Sequence, residues 1–151
     1  MAHIRSRIGE NMGRYLYKAK RLDWREFPEK EQWIIGYYVL GFNEYEQPVH
    51  LIFEPTSMFF SHGETDGWTE IDSNTLCQYT GLKDKNGKRI WEGDVVKINN
   101  SKINTLITFR DFEIICTIPG GKYYKHRLEY DMEYEVIGNI FDNPELLESE
   151  E

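Results

Sequence analysis

Apolar and acidic side chains alternate most clearly near the end of the chain, over residues 128–140. Even positions carry apolar or small side chains, whereas the first odd positions carry carboxylates: Leu128, Tyr130, Met132, Tyr134, Val136, Gly138 and Ile140 against Glu129, Asp131, Glu133 and Glu135. A period of two places successive side chains on opposite faces of a strand. The pattern predicts a half-buried strand, or a hairpin pair, with its carboxylates in water.

Shorter patterns predict strands in the first half of the chain. RYLYKAKRL (14–22) alternates as a strand, with Tyr15, Tyr17 and Ala19 on one face and Arg14, Lys18 and Lys20 on the other. WIIGYYVLGF (33–42) is almost entirely apolar and rich in β-branched and aromatic residues, which favours a strand buried on both faces. VHLIFE (49–54) predicts the next strand.

The stretch QYTGLKDKNGKRIWEGDVVKI (78–98) contains two turn signals. Asn86–Gly87 predicts a hairpin with a type I′ turn, which needs positive φ at both central residues. Gly93–Asp94 predicts a second tight turn, since glycine tolerates unusual dihedral angles and aspartate bonds to nearby backbone. VVKI, INTLITF and FEIICTI then predict three more strands.

These elements predict a mainly β fold of about eight strands. The architecture is a pseudo-barrel, an SH3-like barrel or a sandwich. A short C-terminal helix is expected, with Asn143 as its cap and Pro144 at its first position. Residues 1–13 are expected to be a flexible extension. Residues 14–151 form one domain, or two packed β-subdomains, 14–76 and 77–151.

Charge is distributed in blocks, although the net value is −8. Residues 31–80 carry eight acids and no Lys or Arg, and residues 128–151 carry nine acids and no base. Such segments repel a phosphate backbone, which argues against sequence-independent duplex binding. There is no apolar run of the roughly 18 residues that a membrane helix needs, and no CxxC motif, so a cytoplasmic location is expected.

Two acidic patterns are candidate metal sites. Glu129, Asp131, Glu133 and Glu135 would form a row at intervals of about 7 Å along a strand, and such oxygen ligands hold Mg²⁺ in nucleases. A straight row diverges, however, and the solvated face of a sheet explains it better. His62, Glu64 and Asp66 also alternate, but no second histidine is nearby, which favours a polar loop.

The best nucleic-acid candidate is KYYKHR (122–127), which interleaves bases with aromatic rings. Its members are Lys122, Tyr123, Tyr124, Lys125 and Arg127. Aromatic faces stack nucleobases, and Lys or Arg meets phosphate. The basic hairpin Lys83–Arg89 is a second candidate surface. The alternative is that one tyrosine faces the core and the cations balance the acidic strand beside them.

Aromatic residues exceed what a small core needs. The chain has ten tyrosines as well as Trp24, Trp33, Trp68 and Trp91, so some are expected at the surface, where they favour self-association or a protein partner. Cys77 and Cys116 are interpreted as buried thiols, because no Cys–His pairing is evident.

Residues 78–98, together with YEVIGNIFDNPELL (134–147), resemble the YopX family of phage and prophage proteins. YLYKAKRLDW and WIIGYYV resemble longer members of that family more loosely. The resemblance implies a β-rich pseudo-barrel in a bacterial cytoplasm, with no agreed activity or catalytic residues. We therefore expect a YopX-like, non-enzymatic protein-interaction module without a cofactor, homo-oligomeric and bound to a host or phage protein. A nucleic-acid-binding accessory protein and a metal-dependent nuclease are the alternatives.

Overall fold

The computed structural model describes residues 15–54, 67–110, 113–118 and 131–148, together with the backbone of residues 126–127. The chain forms two units, Met1–Gln78 and Tyr79–Glu151. The described residues contain eleven strands and no α-helix, and their short helical turns are all of the 3-10 type. The predicted mainly β class is confirmed, with more strands than the eight expected. The predicted extension, residues 1–13, lies outside the described residues.

The first unit is built on an antiparallel sheet. Its strands are β1 (Leu16–Lys20), β2 (Trp33–Phe42), β3 (Pro48–Phe53), β4 (Trp68–Glu70) and the start of β5 (Cys77–Lys83). The spatial order is β4-β3-β2-β1-β5, and Cys77 and Gln78 make the pairing with β1. From Tyr79 onward, β5 belongs to the second unit.

One face of this sheet carries the core of the first unit. Ala19, Ile34 and Ile52 are buried there together with Ile71. Gly36 lies on the same face, where a Cβ atom would fall 2.1 Å from the carbonyl oxygen of Phe53. A larger residue at position 36 would therefore push β2 and β3 apart. Of the three residues that the sequence placed together on one face of β1, Ala19 is buried, Tyr17 packs against this core, and Tyr15 is 69% exposed.

One prediction for the other face is wrong. β2 is not buried on both faces, because the core packs against one face only and Ile35 stays 40% exposed. Lys20 lies on the face opposite Ala19, as the alternation predicts, but it is only 3% exposed. Its Nζ donates to Oε1 of Gln32 at 3.0 Å and lies 4.0 Å from the ring centroid of Trp24. The 3-10 turns at 24–26 and 29–31 lie in the connection that carries these two partners.

The second unit contains the rest of β5 and six further strands. These are β6 (Arg89–Trp91), β7 (Asp94–Ile98), β8 (Thr105–Arg110), β9 (Glu113–Thr117), β10 (His126–Arg127) and β11 (Tyr134–Asn139). β5 pairs with β6, and the other five form an antiparallel sheet in the order β10-β9-β8-β7-β11. In the part of the chain that the structure describes, the edge strands β10 and β11 do not pair with each other. This sheet is therefore open and not a closed barrel.

The alternation of residues 128–140 produces the predicted burial where it is described. Tyr134 is buried in a core with Ile90, Val96, Ile107 and Cys116. Met132 and Val136 pack against that core, whereas Asp131 and Glu133 are exposed. Residues 128–130 lie outside the described residues.

The hairpin between β5 and β6 is organised by the carboxylate of Asp84. Its Oδ1 accepts hydrogen bonds from the amides of Asn86 and Lys88, both at 2.9 Å, and its Oδ2 accepts one from the amide of Val136 at 3.0 Å. Gly87 has φ +79°, but Asn86 does not have positive φ. The predicted type I′ turn is therefore wrong, because the Asp84 side chain holds the loop in another conformation.

The same arrangement recurs in the first unit at the turn between β2 and β3. Oδ1 of Asn43 accepts from the amides of Tyr45 and Gln47 at 3.0 and 2.9 Å. Glu46, in the place that corresponds to Gly87, has φ +59°. A turn with two consecutive positive-φ residues instead follows β7, at Asn99 and Asn100.

Two further turns bear on the predictions. At the β6–β7 turn Gly93 has φ +81°, and Oδ2 of Asp94 accepts from the amide of Trp91 at 2.8 Å. The predicted C-terminal helix is a single 3-10 turn, Pro144–Leu147. The side chain of Asn143 does not cap this turn. Its Oδ1 accepts instead from the amide of Asn139 at 3.4 Å.

We predict that Asp84→Ala lowers the free energy of unfolding by about 2–4 kcal/mol, since amides left without an acceptor in a buried site cost about 1–3 kcal/mol each. Asp84→Asn should lose less. It keeps an oxygen for the turn, as Asn43 shows, but can present an NH₂ group to Val136. Urea denaturation of the two variants measures the difference. Equal losses would contradict the separate role of the Val136 contact.

The Asp84 carboxylate should also make the stability of the protein depend on pH in the acid range. Burial raises the pKa of Asp84, but the backbone hydrogen bonds from Val136, Lys88 and Asn86 outweigh it and lower the pKa below its ordinary value of 3.8. A lowered folded pKa means that the contribution is complete above the ordinary value and is lost as pH falls through the folded pKa. Asp84→Asn should therefore flatten the loss of stability below about pH 4 in urea titrations.

We predict that Glu46→Gly raises the free energy of unfolding by about 1 kcal/mol, because a non-glycine residue in the left-handed region costs about 1–2 kcal/mol. Glu46→Ala is the matched control, since it removes the same side chain but keeps a Cβ at positive φ. Thermal unfolding should show a higher Tm for the glycine variant alone. A gain in both variants would assign the effect to the lost charge.

Candidate interaction surface

The side of the first-unit sheet that faces away from its core is apolar across four strands. Residues paired across an antiparallel ladder share a face. The register therefore brings together eight apolar residues, which we call the outer face: Leu16, Ile35, Tyr37, Val39, Val49, Leu51, Phe53 and Trp68. Two charged residues flank them on the same side of the sheet, Lys18 on β1 and Glu70 on β4. None of the eight is fully buried.

The most accessible members lie on β2 and β4. Ile35 is 40% exposed, Val39 38% and Trp68 43%. Trp68 is held in place by Phe53, with ring centroids 4.7 Å apart. Contiguous apolar patches of this kind mark binding sites, whereas scattered exposed apolar residues are ordinary. The outer face is therefore the best candidate site among the described residues.

Cationic and aromatic groups order one end of the outer face. The Nζ of Lys18 lies 4.6 Å from the ring centroid of Trp33, and the buried Lys20 lies between Trp33 and Trp24. Cation–π contacts of this kind contribute roughly 0.5–2 kcal/mol, more when water is excluded. They fix the rings that border the apolar surface. Two of the four tryptophans, Trp24 and Trp33, therefore make contacts within the first unit.

The predicted nucleic-acid residues fall largely outside what is described. Lys122, Tyr123, Tyr124 and Lys125 lie outside the described residues. Of Arg127 the structure gives the backbone, which pairs with Ile115 of β9. The nucleic-acid role of this segment remains a prediction.

The basic hairpin Lys83–Arg89 has part of its charge paired at the surface of its own unit. The Nζ of Lys85 forms an ion pair with Oε2 of Glu135 at 2.9 Å. The guanidinium of Arg89 lies 5.7 Å from the ring centroid of Tyr79. Hydrogen bonding and attraction from Glu135 raise the pKa of Lys85. Lys85 therefore balances a carboxylate of β11, and Arg89 contacts an aromatic ring of the same unit.

The carboxylate row does not converge where it can be followed. Glu135, in the ion pair with Lys85, lies opposite Lys97 on β7, and Asp131 and Glu133 are exposed. Within the described ranges, no three His, Cys, Asp or Glu side chains are grouped as metal ligands. Glu129, like His62, Glu64 and Asp66, lies outside those ranges.

Both cysteines lie in the interior of the protein. Cys77 and Cys116 form no disulfide bond, and each is about 1% exposed. Burial raises the pKa of Cys116 to about 11, so almost no thiolate forms there near neutral pH. The Sγ of Cys77 donates to the carbonyl oxygen of Thr75 at 3.3 Å. The interpretation of both residues as buried thiols is confirmed.

The sequence did not predict that the residues of the outer face lie together on one surface. Its members come from four strands, and only the register of β1, β2, β3 and β4 brings them together. One signal was available: Ile35, Tyr37 and Val39 alternate with the inward residues Ile34 and Gly36. Because both sets are apolar, the alternation had no polar half to reveal which side faced away from the core.

The protein is β-rich, and each of its two units contains antiparallel strands. Its candidate site is the outer face, an apolar surface on the sheet of the first unit. The chain belongs to the YopX family, whose model, described as YopX protein, matches residues 29–148. A comparison with curated proteins finds no match. The crystal structure of protein yopX from Bacillus subtilis is similar at 20% identity and a TM-score of 0.49, covering 89% of this chain and 99% of that one.

The helical segments bear on membrane contact in one respect. Among the residues that the structure describes, none of the helices has the length and apolar character needed to cross a bilayer.

We predict that iodoacetamide labels neither Cys77 nor Cys116 in the native protein at pH 8 within an hour, whereas both react after unfolding in guanidinium. Burial blocks access to both thiols, and the raised pKa of Cys116 also suppresses its thiolate. Mass spectrometry of the intact protein counts the adducts. Rapid labelling of Cys116 in the native state would reopen the possibility of a thiol nucleophile.

Proposed function

We propose that this YopX-family chain is a non-enzymatic protein-interaction module of phage or prophage origin, acting in the cytoplasm of its bacterial host. Its outer face is the surface that binds another protein chain. The observation that carries the proposal is the set of eight apolar residues across four strands, of which Ile35, Val39 and Trp68 are each more than a third exposed.

The chemistry of the outer face fits a protein partner better than a nucleic acid. A single-strand platform needs cations that follow the phosphate backbone beside its aromatic rings. The described cations on this face, Lys18 and Lys20, both lie on β1, and Lys20 is buried. The opposite edge carries the carboxylate of Glu70. Apolar side chains with few charges are typical of the centre of a protein interface.

The surface is also ordered before any partner arrives, which supports the proposal. Its strands are paired in register from β1 to β4, and Gly36 allows β2 and β3 to approach closely. The Asn43 side chain fixes the turn that joins β2 to β3. Binding to a surface of this kind costs less ordering of the chain, so more of the apolar burial appears as affinity.

The proposal is tested by making the outer face polar without changing strand propensity. We predict that Ile35→Thr with Val39→Thr reduces protein capture from host-bacterium lysate about thirtyfold, because each substitution removes about 1 kcal/mol of apolar burial and about 1.4 kcal/mol corresponds to a tenfold change in affinity. The tagged protein is immobilised, and retained proteins are quantified by mass spectrometry. Retention of its own untagged chain, supplied purified, is measured in the same assay.

The matched control is Leu22→Thr with Ile103→Thr, which removes two exposed aliphatic side chains outside the outer face. Circular dichroism and Tm establish that all three proteins fold. The control should retain the same proteins as the unmodified chain. Equal retention by the outer-face variant and the control, for both lysate proteins and the chain itself, would overturn the proposed function.

A further inference from the structure

The outer face carries opposite charges at its two edges. Lys18 lies on β1, over the ring of Trp33 and next to β5, and Glu70 lies exposed on β4, the edge strand on the other side. The surface between them is apolar. A surface with one charged group of each sign on opposite sides of an apolar centre has the properties needed to bind a copy of itself.

The register gives the direction of the line that joins the two charges. From β1 to β4 there are three strand spacings, or about 14 Å across the sheet. Lys18 pairs with Ile35, whereas Glu70 lies level with Leu51 and Val39, four residues further along β2. Four residues span about 14 Å along a strand. The line from Lys18 to Glu70 therefore crosses the strands at about 45°, and its midpoint falls between β2 and β3, level with the paired Tyr37 and Phe53.

We propose that the partner of the outer face is a second copy of this chain, packed face to face. The two-fold axis lies midway between the two sheets and parallel to them, over the point between Tyr37 and Phe53. It is perpendicular to the line from Lys18 to Glu70, and therefore also at about 45° to the strands. This operation places Lys18 of each copy opposite Glu70 of the other. The strands of the two copies then cross at about 90°, which is one of the two classes in which sheets pack.

The charges select this orientation, and the apolar surface provides the attraction. A two-fold axis perpendicular to the strands would bring the two β1 edges together, with like charges on the same side. An exposed ion pair contributes only about 0.2–1 kcal/mol, so two such pairs choose between orientations that bury similar apolar area. Four strands by about five residues cover roughly 19 by 17 Å. A contact of that size is at the small end for protein interfaces, and we expect dissociation constants on the order of 10–100 µM.

This inference rests on the proposed function, because it names the partner of the same surface. Sedimentation equilibrium of the full chain between about 5 and 500 µM measures the association. The unmodified chain should fit a monomer–dimer equilibrium. Glu70→Lys and Lys18→Glu should each weaken it at least about threefold in low salt, since each places like charges at both contacts.

The decisive measurement is the equimolar mixture of the two single variants. In a heterodimer of Lys18→Glu with Glu70→Lys, both contacts again join opposite charges, so the mixture should associate more tightly than either variant alone. The control is Glu44→Lys, which makes the same charge change at an exposed position in the turn beyond the outer face. It should dimerise like the unmodified chain in moderate salt.

Three results would overturn the inference. They are a monomer at 500 µM, single variants that dimerise as the unmodified chain does, and a mixture no tighter than its components. If the chain is monomeric but lysate capture still depends on Ile35 and Val39, the proposed function stands and only the second copy is excluded. If neither assay responds to the outer-face variant, both proposals fail.

Discussion

The carboxylate of Asp84 is the interaction on which the second unit most depends. Asp84 is 7% exposed, and it accepts hydrogen bonds from two amides of its own turn and from Val136 on β11. The sequence positions so joined are 52 residues apart. A buried charge of this kind is tolerated because several donors meet it, and removing them would leave it uncompensated. Residues 78–98 and 134–147 are the two segments that most resemble the YopX family. The hydrogen bond from Val136 to Asp84 joins these two segments directly.

The same turn chemistry connects the fold to the candidate site. Asn43 holds the β2–β3 turn as Asp84 holds the β5–β6 turn, but its contacts are local and exposed. A neutral amide suffices there, because no distant strand requires the second oxygen. The result is a fixed register between β2 and β3. Since a slip of one residue would exchange the core face with the outer face, that register decides which apolar side chains are buried and which remain accessible.

The sequence predicted features that depend on near neighbours and missed those that depend on distant ones. The alternation around Tyr134 gave the burial of β11, because one face was acidic and the other apolar. Lys20 has the spacing of a solvent-facing residue, and only the return of residues 24–32 over the sheet explains why it is buried. Asn86–Gly87 has the residues of a type I′ turn, yet the Asp84 side chain determines its conformation. The outer face required four strands in register, which no local pattern encodes.

The blocks of charge along the chain determine where charges lie on the outer face. β2, β3 and β4 all fall in residues 31–80, which contain no Lys or Arg, so any cation on the outer face must come from β1. Because β1 and β4 lie at opposite sides of the four-stranded surface, a linear segregation of charge becomes a polarity across it. Scattered charges would have blocked apolar contact in the middle of the sheet. Charges restricted to the two edges leave the centre free to be buried and give the surface a direction.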